Sequence, residues 1–393
     1  MDNNNHYIEW RRYQNIRPLK LKNKEKFYDD LINIEHSWSG RMDINVGNTF
    51  IMEAEQQLIN AIELFEMGYF DCAYYSLRSA IDISTTMVFL SDLSDDEKEK
   101  YLNDWKQVKP FPLRKAMLKK LTKDGNIFVD MFDKMPIFFN QAKDLSERLN
   151  KYVHKQGLRH FYVSRNHPMH SKTPQDTFIN NFETHLKECI GVVAVMRLAI
   201  DPFPILLMDE DILYRCFDSM TEPYAEDFVN EYIGTEILAE YKRTDFYSST
   251  RQLLEGEEKK NEAVFNLIKY QFINTQSFDD IFKQFHLLSI YDAIATLIIY
   301  ICPKATKIYT CDGLMMYFTD RKTNRSKTSW SSGDFLNFQN AQDKINQQYD
   351  EAFISVFKFK EEYYCVEHNE VLENEDMAKI VGFVAGALSK TEN

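Results

Sequence analysis

The chain has 393 residues, 44% of them apolar, 14% aromatic and 27% charged, which excludes the disordered class and suffices to bury two cores. Its net charge of −13 speaks against a protein that coats nucleic acid nonspecifically. The opening MDNNNHYIEWRRYQ has neither an apolar segment nor a small-residue cleavage site, so no secretory signal is expected and the localisation expected is cytoplasmic, without a membrane partner.

Residues 1–48 are polar and basic without a sustained period, and they read as a basic N-terminal arm. Leu19, Phe27, Leu31, Ile34 and Trp38 are available there to pack on the body. From about Asn48, Ile51, Ala54, Leu58, Ala61, Ile62 and Phe65 recur at helical steps, which predicts an amphipathic helix ending at Gly68. Ala73, Leu77, Ala80, Ile81, Ser84 and Val88 repeat the spacing. Two helices with so short a link must pack antiparallel.

Further helices are expected over 95–107, 112–123 and 136–156, the last with proline in its first turn and Gly157 at its end. A polar loop, 158–174, carries His160, His167 and His170. A helix over 175–200 presents Phe178, Phe182, Leu186, Cys189, Ile190 and Val193 and stops before Pro202 and Pro204. These prolines suggest a boundary, so the first domain is set at 49–200 and the second at 201–393.

In the second domain, helices are expected over 205–217, 225–240 and 262–271. The apolar stretch 287–302 is interrupted by Asp292 and is too short for a bilayer of roughly 30 Å, so it reads as a buried helix. The runs 307–311 and 314–319 bracket Asp312 and Gly313, a hairpin signal. Alternation over 353–359, returning at 363–366, predicts a second hairpin, and a last helix is expected over 376–388. The expected fold is mainly α, an antiparallel helical bundle followed by a smaller α+β domain with antiparallel hairpins.

Charge is unevenly spread. Asp104 to Lys172 holds 15 Lys and Arg against 6 Asp and Glu, a net of +9, whereas Asp201 to Glu262 nets −10. The basic segment implies a local anion site, unless it pairs with the acidic segment across the boundary. The cysteines at 72, 189, 216, 302, 311 and 365 contain no C-x-x-C pair, so neither a zinc site nor a disulfide framework is expected.

The run AEQQLINAIELFEMGYFDCAYYSLRSAIDI, together with SERLNKYVHK, resembles the HEPN superfamily over residues 50–200. Arg148 and His154 match that family's R-x(4–6)-H signature. Arg165 and His170 match it too, but Pro168 places them in a loop, so the helical pair is preferred. Leu149 departs from the family pattern, which often has a polar residue there.

The resemblance implies a metal-independent endoribonuclease, a toxin or antiviral defence effector, with RNA as substrate and no cofactor. Histidine can take the 2′-hydroxyl proton while arginine holds the phosphate. Arg148 and His154 are the catalytic candidates; Asn150, Lys151, Lys155, Arg165 and His170 are the substrate-binding ones. The resemblance further implies a homodimer in which two such pairs face each other, and Tyr74, Tyr75 and Phe89 are the expected exposed interface residues. An antitoxin or regulatory protein is a candidate partner. The same residues also fit a catalytically inactive HEPN module that binds nucleotide or protein, or an adaptor, and Arg148 and His154 also suit the negative end of a helix dipole.

Overall fold

A computed structural model describes residues 6, 18–41, 45–161, 174–216, 220–325, 331–340 and 345–391. These form two compact units, one from the described residues of 1–213 and 219–257, the other from those of 214–218 and 258–393. The fold is mainly helical, and the described strands all lie in the smaller second unit.

The first unit is organised by a helical hairpin. Helix α2 (Asn45–Glu66) and α3 (Phe70–Ser91) fold back on each other through a turn in which Gly68 has a φ of 85°, a value that costs a residue with a Cβ. Ile51, Ala54, Leu58, Ala61, Ile62 and Phe65 are buried against Ala73, Leu77, Ala80 and Ile81, as the spacing predicts. Helices α4 (Asp95–Lys106), α5 (Arg114–Asp124) and α6 (Phe128–Lys134) lead to α7 (Pro136–Val153). Both α7 and α8 (Gln175–Arg197) pack on α3.

Several expectations need correction. The segment read as an arm contains helix α1 (Lys24–Glu35), which buries Phe27, Leu31 and Ile34. The chain before it is tied down as well: Glu66 accepts the Leu21 N–H at 3.0 Å, and Glu183 accepts those of Lys22 and Asn23 at 2.7 and 3.1 Å. Tyr74 and Phe89, expected at the surface, are core residues, since Tyr74 stacks on Tyr152 with 4.0 Å between ring centroids and Phe89 meets Tyr101 edge-on. Tyr75 alone of the three is exposed, and its hydroxyl donates to the Val153 carbonyl at 3.1 Å.

The boundary expected at 200 falls inside the first unit. Pro202 and Pro204 end a helix but not the core, because the following chain returns to α7 and α8. Tyr224 and Tyr241 donate to the carbonyls of Ala194 and Leu198 at 3.2 and 3.0 Å. The buried Glu240 carboxylate accepts the Ile137 and Phe138 N–H groups at 3.1 and 3.3 Å, satisfying free donors at the start of α7. The helix expected over 205–217 is two short pieces, Phe203–Leu206 and Glu210–Leu213. That over 225–240 is broken into Glu226–Phe228, a π-turn at Val229–Ile233 and α9 (Thr235–Tyr241), which follows Gly234 at a φ of 86°. Helix α10 (Asp245–Glu255) closes the unit.

In the second unit, α11 (Glu262–Tyr270), β1 (Phe272–Ile273) and α12 (Phe278–Lys283) precede α13 (Ile290–Ile301). Asp292, which interrupts the apolar run, forms a capping box with Ser289 and accepts the Tyr317 hydroxyl at 2.8 Å. Its burial thus follows from its partners. The hairpins are β2 (Ala305–Thr310) with β3 (Met315–Thr319) and β5 (Ala352–Phe359) with β6 (Glu362–His368). Between them lie α14 (Ser332–Asn340) and β4 (Gln347–Tyr349), and α15 (Asn374–Thr391) follows. The sheet runs β1-β3-β2-β6-β5-β4, antiparallel except where β1 joins β3. Ile294, Ile298, Ile380 and Val384 of α13 and α15 join Ile308, Tyr364 and Val366 of the sheet in one core. Among the described residues, no helix is long and apolar enough to cross a membrane.

Candidate functional site

Helix α7 carries the Arg148 and His154 pair. It starts with Pro136 in its first turn, where a missing N–H costs nothing. Its buried face is Phe138, Ala142, Leu145, Ser146 and Leu149, so Leu149, the departure from the family pattern, is a packing residue. The helix ends one residue short of His154, which occupies the C-cap with its N–H bonded to the Asn150 carbonyl at 2.8 Å. Lys155 follows at a φ of 53° and Gly157 at 97°, so the chain turns away there. The His154 side chain is exposed. Lys151 lies in the last turn, where a cation suits the helix dipole, and Lys155 pairs with Asp71 at 2.5 Å.

Arg148 points toward α8. Its Nη2 lies 2.9 Å from both Glu188 carboxylate oxygens, with the two side chains about equally half-exposed. It lines an open cleft of about 450 Å³ together with Lys151, Arg159, Tyr152, Asn181, His160 and His185. Three cations and several hydrogen-bonding groups therefore face one space, the kind of lining that receives a phosphate. His154 is not part of that lining.

The two histidines that do line the cleft differ in their partners. His160 is buried, and its Nδ1 donates to the Gln156 carbonyl at 2.7 Å. His185 has Nδ1 3.3 Å from the Tyr74 hydroxyl, and burial, with Arg148's charge second, pushes its pKa down to about 4. It is neutral at pH 7.

Asn150 faces the other side of α7. Its Oδ1 accepts from Arg78 Nε at 3.0 Å, and Arg78 also holds Asp82. This side borders a separate cavity of about 710 Å³ between α3, α5 and α7. Of the expected binding residues, the fold thus brings Lys151 to the Arg148 cleft, turns Asn150 to the opposite cavity and engages Lys155 with Asp71. Arg165 and His170 lie outside the described residues.

His160, which the sequence places in a polar loop flanking the Arg148 groove, does line the cleft, whereas Arg159 and His185 escaped sequence reasoning. For His185 a signal existed: it lies three residues after Phe182 and four before Cys189, a polar group on the apolar stripe of α8. No metal-ligating cluster of His, Cys, Asp and Glu occurs among the described residues. None of the six cysteines is in a disulfide, and Cys189, Cys302 and Cys365 are buried. No protein-family model, curated protein or solved structure matches the chain.

Proposed function

We propose that the helical unit is a HEPN-type RNA module that cleaves RNA without a metal, acting as a toxin or antiviral effector. The observation that supports this best is the end of α7. Its last turns gather Arg148, Lys151 and the exposed His154, beside an open cleft that also holds Arg159. In this reading Arg148 and Lys151 hold the scissile phosphate, and His154 takes the proton of the 2′-hydroxyl. The 2′-oxygen bonds to phosphorus, the bond to the 5′-oxygen breaks, and that oxygen takes a proton from His154 of a second chain. The products are a 2′,3′-cyclic phosphate and a 5′-hydroxyl. A homodimer is required, because one chain offers one such histidine at the helix end, and a regulatory protein or the second unit would restrain the activity.

The test is cleavage of a labelled RNA in EDTA by wild type, Arg148→Ala and His154→Ala, with mass measured by light scattering. Wild-type cleavage leaving cyclic phosphate ends, lost in both variants and accompanied by a dimer, is the expected result. Cleavage that survives His154→Ala, or an active monomer, rejects the mechanism.

A second reading is favoured by the Arg148–Glu188 ion pair, which already occupies the proposed phosphate clamp. It makes the unit a binding module without catalysis. RNA or nucleotide binding without any cleavage in the same assay supports it.

A further inference from the structure

The 710 Å³ cavity on the far side of α7 carries more positive charge than its surroundings neutralise. Arg78 and Arg114 both line it, with side chains only 18% and 15% exposed. Their shared carboxylate is Asp82, engaged by Arg78 and 3.8 Å from Arg114 Nε. Arg114 is otherwise held by neutral groups, donating to Thr85 Oγ1 at 3.1 Å and Ser146 Oγ at 3.2 Å. Burial, and after it the charge of Arg78, push its pKa down to about 10. Lys115 and Lys143 stand exposed at the rim, and no described carboxylate pairs with them.

Two half-enclosed guanidinium groups with one carboxylate between them repel each other and forgo hydration. Their position aggravates this, since Arg114 and Lys115 open α5, whose first turn has no acidic residue, at the positive end of the helix dipole. A dianionic phosphate would relieve the strain of like charges. Much of the rest of the lining is apolar. The rings of Phe132 and Phe139, 4.9 Å apart between centroids, and Leu118 form an apolar wall, with Phe132 47% exposed. Asn140 adds a neutral polar group beside it, and Glu147 a carboxylate that offsets one of the four cations in the lining. A cavity of this size with an apolar wall and a few convergent polar groups fits a small ligand rather than a polymer.

We propose that this cavity binds a mononucleotide, with the phosphate on Arg78, Arg114, Lys115 and Lys143 and the base against Phe132 and Phe139. Asn150, also in the lining, holds Arg78 in place by accepting from its Nε at 3.0 Å. The site stands independently of the ribonuclease reading, since neither Arg148 nor His154 lines it.

The experiment is calorimetric titration of the full chain with the four nucleoside monophosphates and triphosphates, the free nucleosides, inorganic phosphate and an RNA dodecamer. At least one nucleoside phosphate binds, about tenfold or more tighter than inorganic phosphate, and free nucleosides bind more weakly still. Lys115→Glu combined with Lys143→Glu, both at exposed positions that spare the fold, weakens the nucleotide by about tenfold or more, and His154→Ala leaves it unchanged. Absence of any mononucleotide binding at millimolar concentration overturns the proposal. So does an affinity indifferent to the double charge reversal, or binding of the RNA alone.

Discussion

Arg197 and Asp201 form an ion pair in the centre of the helical unit, with side chains 0% and 2% exposed. Nη2 of Arg197 reaches both carboxylate oxygens at 3.2 and 3.1 Å, and its Nε donates to the Ser37 carbonyl at 2.6 Å. The pair therefore joins the end of α8 to the chain that follows α1. Asp201→Ala leaves the guanidinium buried and unpaired, and should cost about 3–5 kcal/mol. Urea unfolding followed by circular dichroism measures it; a loss below about 1 kcal/mol would show that water reaches the arginine in the variant.

Gly191, inside α8, faces the π-turn, and a Cβ built there overlaps the Tyr232 carbonyl oxygen. Gly191→Ala should destabilise the first unit by about 1–3 kcal/mol, because helix and turn must separate. Gly382 in α15 is the internal comparison, with nothing within 4 Å of its virtual Cβ. Gly382→Ala should be neutral or stabilising by up to about 1 kcal/mol. Thermal melts should show a fall for Gly191→Ala that Gly382→Ala does not share.

His185 makes stability depend on pH. The unfolded chain binds a proton at this ring near the ordinary histidine value, whereas the folded chain resists it down to about 4. Stability is therefore complete above pH 6.5 and falls as the pH drops toward 4, by an amount on the order of 3 kcal/mol. His185→Asn should lower stability at pH 7, by the lost ring packing against Tyr74 and Tyr152, but flatten the profile below pH 6.5. A slope unchanged in the variant would assign the acid sensitivity to another group.

Glu188 competes with any phosphate for Arg148. Glu188→Gln should therefore tighten RNA binding by about three- to tenfold at low salt, measured by fluorescence anisotropy, and steepen the salt dependence. Equal affinity in wild type and variant would remove Arg148 from the phosphate path.

The Arg148 cleft also shows where sequence reasoning runs out. Helix α7, its proline start and its end near Gly157 follow from local rules, and so does the α2–α3 hairpin. Which of its side chains share a space does not. Arg148 and Asn150 are two residues apart and so diverge around the helix, one meeting Glu188 of α8 and the other Arg78 of α3. His160 and His185 enter the cleft from a loop and from another helix.

The sequence by itself determined what depends on near neighbours along the chain. Apolar periodicity marked α2, α3 and α8, Pro136 and Gly157 marked the ends of α7, Asp312 and Gly313 marked the turn between β2 and β3, and Asp292 broke a run that would otherwise have read as continuous. The tertiary structure alone decided where the first unit stops, that α1 belongs to it, and which charges meet. Those outcomes rest on partners distant in sequence: Glu183 under the N–H groups of Lys22 and Asn23, Glu240 under the start of α7, Arg78 beside Arg114. A buried charge is retained wherever some group can pair with it, and the identity of that group is a property of packing rather than of spacing.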